Sequence, residues 1–100
     1  MTISFVKNVE PLGKAGAARQ LAAGSTSVNT ALTTGVFRVS MRATGADIRF
    51  AIGSGSQTAT TSSHFIANGE RLDFAVPPGA NIAVLRAGTT NGTLELTELV

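Results

Sequence analysis

From residue 27 onward the chain is built of short runs, several of them strictly alternating between apolar and polar, that glycine, proline, asparagine and serine interrupt every 8–12 residues or so. A period of two puts successive side chains on opposite faces of an extended strand, and a helix cannot use it to bury one face. In residues 36–43, Phe37, Val39 and Met41 fall on one side and Arg38, Ser40 and Arg42 on the other. Residues 47–53 repeat the pattern with Ile48, Phe50 and Ile52 inward, and residues 71–76 do so with Leu72, Phe74 and Val76. Pro77 and Pro78 then stop the strand, because proline cannot donate to a ladder.

The remaining strands are less regular. Residues 64–66 form a short strand, and residues 81–86 are a nearly continuous apolar run, as expected of a strand covered on both faces. In residues 93–99, Leu94 and Leu96 share a face while Leu99 is out of phase, so a bulge near Thr97 or burial of both faces at a subunit contact is expected. The segments Thr44-Gly45-Ala46, Asn68-Gly69 and Asn91-Gly92 read as turns, the first and last as hairpins. With residues 4–9 and 27–32 counted as strands, the total comes to about seven or eight. The expected fold is all-β, a jelly-roll-like two-sheet sandwich of about eight short strands with an N-terminal arm; a small closed barrel is second.

Residues 1–26 are assigned to that arm and residues 27–100 to the sandwich. Between residues 10 and 27 the chain is rich in Gly and Ala and shows no sustained period of two. A short helix between Ala15 and Ala23 and an extended arm over a neighbour both fit, the glycines at 13, 16 and 24 weakening the helix.

Charge bears on function. Only 14% of residues are charged, against a usual share of about 25%, so a large part of the exterior is Ser, Thr, Ala and Gly and suits contact with protein. The net charge of +2 is spread along the chain without a basic run, and five Phe with no Trp or Tyr give no stacking platform, so nucleic acid is not an expected partner. Nor is a membrane, since no stretch approaches the 18 or so apolar residues a span requires, and the first residues lack the pattern of a secretory signal.

No catalytic, metal or cofactor site is expected. Cysteine is absent, and the single histidine, His64, cannot build a multi-histidine metal site; with no nucleophile-elbow motif to serve, it reads as a partly exposed strand residue. The carboxylates Asp47 and Asp73 sit beside Arg49 and Arg71 and read as ion-pair partners rather than as a catalytic pair. The loop 53–63 has two glycines two apart but lacks the Gly-Lys-Ser/Thr and helix of a phosphate cradle, so it reads as mobile or as ordered by a partner. Asn91-Gly92-Thr93 matches a glycosylation sequon but reads as a turn. Arg38, Arg42 and Arg49 are expected to share the polar side of adjacent strands and to pair with acidic groups of a neighbouring subunit.

Taken together, Ile52-Gly53, the Ser/Thr-rich loop, Ala67-Asn68-Gly69-Glu70, Val76-Pro77-Pro78-Gly79, Ile82-Ala83-Val84 and the closing residues 92–98 resemble small structural proteins of tailed phages. The resemblance covers roughly the last two-thirds of the chain. It implies a capsid cement or decoration protein: a non-catalytic jelly roll, trimeric on the head, that bridges major capsid subunits. Its expected partners are the major capsid protein and its own copies, and its expected place is the capsid surface of the virion after synthesis in the host cytoplasm. The interface positions singled out are Lys7, Arg19, Arg38, Arg42, Arg49 and Leu99. The alternative from another class is a tail or receptor-binding module that grips host carbohydrate with the loops 54–62 and 88–92, a reading weakened by the absence of Trp and Tyr.

Overall fold

The structure, a computed structural model, describes residues 14–100. Among these residues there is no helix. Eight strands, β1 (Ala15–Ala23), β2 (Val28–Ala31), β3 (Arg38–Thr44), β4 (Ile48–Ser54), β5 (His64–Ile66), β6 (Arg71–Ala75), β7 (Ala80–Arg86) and β8 (Gly92–Leu99), form two antiparallel sheets of four. The orders β1-β8-β3-β6 and β2-β7-β4-β5 are those of a jelly roll, the expected fold.

Alternation decides which side chains fill the space between the sheets. Val39, Met41 and Ala43 from β3 meet Leu94 and Leu96 from β8 on one wall; Ile48 and Phe50 from β4, Ile82 and Val84 from β7 and Ile66 from β5 line the other. Phe50 stacks on Phe74 with ring centroids 5.8 Å apart, a bridge across the two sheets worth about 1 kcal/mol beyond area burial. Leu72 and Phe74 pack only partly against this core because β6 is an edge strand.

Four local expectations are corrected. Residues 15–23 are neither helix nor draped arm. They form β1, paired with β8, and Ala on both faces concealed an alternation that turns Leu21 and Ala23 inward. The expected strand at residues 4–9 lies outside the described residues. Second, the three turn segments join strands of different sheets: only β4 and β5 are consecutive and hydrogen-bonded, so residues 45–47 and 87–91 are crossovers and not hairpins. At Asn68-Gly69 the chain does turn tightly, with Glu70 N–H donating to Ala67 C=O at 2.8 Å and Gly69 at φ +86°, a left-handed conformation that favours glycine.

Third, Phe37 is 56% exposed instead of buried, because β3 begins only at Arg38 and Phe37 lies beyond the covered part of the sheet. Fourth, β8 carries no bulge. Its register with β3 is regular, and the irregularity falls on β1 between Ala15 and Ala18, opposite the end of β8. The inward phase of Leu94 and Leu96 simply continues to Glu98, which is 1% exposed, while Leu99 turns to the outer face.

Candidate interaction surfaces

The outer face of the first sheet follows from its register. Arg38 lies between Leu99 and Ala75, and Arg42 lies between Glu95 and Arg71, so Arg38, Arg42 and Leu99 share one surface. Arg71 joins them, a residue the sequence reading had placed only as an ion-pair partner. Its Nε donates to Ser40 Oγ at 3.0 Å and to Asp73 Oδ1 at 3.3 Å. The hydrogen bond with Ser40 holds the Asp73 carboxyl below the usual range, helped by Arg71 and opposed by desolvation.

Arg49 is not part of this surface. It extends from β4 on the opposite face of the molecule, because the connection after β3 crosses to the second sheet. There it lies over Phe65, its register neighbour on β5, at 4.8 Å from the ring centroid, and donates to Ser63 C=O at 3.0 Å. The three-arginine patch therefore divides into Arg38 and Arg42 on one side and Arg49 on the other.

Arg19 points into the end of the sandwich rather than outward. Its Nε donates to Glu98 Oε2 at 3.0 Å, and the same oxygen accepts the Thr33 N–H at 2.9 Å. Burial pushes the Glu98 carboxyl up, but hydrogen bonds from Thr33, through both hydroxyl and backbone, and the Arg19 guanidinium bring it below the ordinary value. The arrangement ties β1, β8 and the β2–β3 connection together, so Arg19 serves the fold. Lys7 lies outside the described residues.

The Ser/Thr-rich loop is ordered by its own subunit. Gln57 N–H donates to Asn29 Oδ1 at 2.8 Å and Ala59 N–H to Ser27 Oγ at 2.8 Å, which draws residues 55–63 across the outer face of the second sheet towards β2. Ala83, the register neighbour of Asn29, is 0% exposed although it faces outward, so β7 is covered on both faces as its apolar run requires. The loop leaves β4 at Ser54, beside Ala80, whereas residues 87–91 follow Arg86 at the far end of β7.

His64 lies at the open side of the sandwich, its ring 5.4 Å from that of Phe50. Here the edges β5 and β6 leave a groove of about 410 Å³ lined chiefly by Phe50, Ile52, Phe65, Leu72 and Phe74. This feature was missed from the sequence, where Leu72 and Phe74 read as ordinary core. Asp47 and Glu70 accept backbone N–H groups of Asn68 and Ala67 at 2.7 and 2.8 Å, so these carboxylates brace the turn. Among the described residues no three His, Cys, Asp or Glu side chains group to hold a metal, and no helix is long and apolar enough to cross a membrane. No protein-family model, curated protein or solved structure matches the chain.

Proposed function

We propose that this protein is a non-catalytic structural protein of a phage virion, a head cement or decoration protein that stabilises the capsid by bridging major capsid subunits and associating with its own copies. The observation that carries this reading is the open side of the jelly roll, where an apolar groove adjoins Phe65, itself 44% exposed. Apolar surface open among the described residues of so small a domain suits burial against protein.

Jelly rolls also serve as lectins and metal-binding cupins, so the fold alone selects no function. Composition favours the capsid reading over both. One histidine does not supply a cupin's metal ligands, and the lack of Trp and Tyr removes the usual platform for a sugar ring. A clamp repeated many times over a shell gains from avidity even when each contact is weak.

Cosedimentation with empty capsids of its own phage tests the proposal. Saturable binding that raises the temperature at which the shells disrupt is expected. A protein that stays in the supernatant at every salt concentration overturns it.

A further inference from the structure

The geometry points to a second copy of this chain as the occupant of the open side: two subunits pair their β6 strands antiparallel about a two-fold axis, joining their first sheets into one. This rests on the reading that the protein associates with itself, and it assigns a two-fold contact where the phage resemblance implies a three-fold one.

The four sheet edges differ in their fitness to pair. β1 is irregular between Ala15 and Ala18, β2 has four residues and lies beside the loop tied to Ser27 and Asn29, and β5 has only three residues. Bulges, short length and cover all blunt an edge. β6 is a regular five-residue edge, and among the described residues no bulge or covering loop falls on it.

Its backbone phase is also right. Val76 N–H donates to Phe37 C=O and Ala43 N–H to Glu70 C=O, so Leu72 and Phe74 spend their backbone groups on β3. Arg71, Asp73 and Ala75 turn theirs away from the sheet, and among the described residues none of these has a backbone partner.

Charged side chains normally protect an edge. Here the two charges are opposite in sign and two residues apart, which makes the edge complementary to itself. With Leu72 opposite the partner's Leu72, Arg71 lies opposite the partner's Asp73 and Asp73 opposite the partner's Arg71, in hydrogen-bonded pairs that use the outward groups. Sliding the strands by one residue each lengthens the overlap but sets two Asp73 carboxylates face to face. On the inner side the two apolar grooves then adjoin across the axis and cover one another. The contact is isologous and closes at two subunits.

Because the chain has no cysteine, single-cysteine variants of the full chain report the register directly. Leu72→Cys is expected to give a disulfide-linked dimer under mild oxidation, since non-hydrogen-bonded positions bring Cα atoms to about 4.5 Å. Arg71→Asp and Asp73→Arg are each expected to weaken association about tenfold or more in sedimentation equilibrium, while an equimolar mixture of the two forms a heterodimer. Heterodimer formation also shows that both variants are folded. A wild-type protein that is monomeric at every concentration overturns the contact, as does crosslinking through Asp73→Cys and not Leu72→Cys. Capsid binding by a strictly monomeric Arg71→Asp variant leaves the cement reading intact, so the two proposals fail separately.

Discussion

Glu98→Ala tests how the end of the sandwich is held. The carboxylate is 1% exposed and shares one oxygen between Arg19 Nε at 3.0 Å and the Thr33 N–H at 2.9 Å. Removing one partner of a buried ion pair costs roughly 3–5 kcal/mol, and a buried N–H left without an acceptor roughly 1–3 kcal/mol. Arg19 retains 27% of its side-chain exposure and can recover some hydration, so the lower end applies and the loss should be about 3 kcal/mol. In a domain of this size that corresponds to a fall of roughly 12–24 °C in Tm.

Denaturant melts followed by far-UV circular dichroism measure it. Adding Arg19→Met to Glu98→Ala should cost little more, because Arg19 has already lost its partner. Glu98→Gln separates charge from shape, and its pH dependence has a definite sign. The folded-state carboxyl lies below its ordinary value of 4.5, so the unfolded chain binds the proton more readily. The charge-dependent part of the stability is therefore complete above about pH 4.5 and disappears as pH falls through the lower folded-state value. The gap between wild type and Glu98→Gln should narrow in that window. A Glu98→Ala variant within about 0.5 kcal/mol of wild type, or strict additivity with Arg19→Met, refutes this account of the cluster.

Three further outcomes follow from local geometry. Gly92→Val should destabilise by about 1–3 kcal/mol in thermal melts, since a Cβ there would stand 3.0 Å from Thr44 O and 3.1 Å from Ala46 N, where the crossover backbone has little room to retreat. Ala83→Leu should lift the loop 55–63 from the second sheet, seen as faster amide exchange at Gln57 and Ala59 with the core strands unchanged. Arg49→Ala should cost only about 1 kcal/mol while releasing Phe65 from its fixed position, detectable as averaged ring signals in NMR spectra.

What the sequence discloses about this molecule is set by the range of each interaction. Val39, Met41, Leu94 and Leu96 were legible because alternation is local and one face of each strand is buried. Ala15–Ala23 was not, since a strand rich in alanine has the same polarity on much of both faces; its identity comes from β8, far along the chain. The turns failed for the same reason. A glycine near a chain reversal looks alike whether the next strand returns to the same sheet or crosses to the other, and a jelly roll crosses at every connection here except β4–β5. Glu98 shows this most sharply. By alternation it belongs inside, by chemistry it belongs in water, and only the arrival of Arg19 and Thr33 from distant parts of the chain reconciles the two.

The surfaces obey the same logic. Arg38, Arg42 and Arg49 looked like one patch because twelve residues contain them all, yet the sheet crossing between Thr44 and Ile48 puts the third on the opposite face. Arg71 takes its place by register, not by proximity in sequence, and brings Asp73 with it on a regular edge strand. The same crossing that removes a basic patch therefore leaves a strand whose charges alternate in sign beside an apolar groove. The proposed pairing of two copies draws on that alternation of sign, which topology sets before any partner is considered.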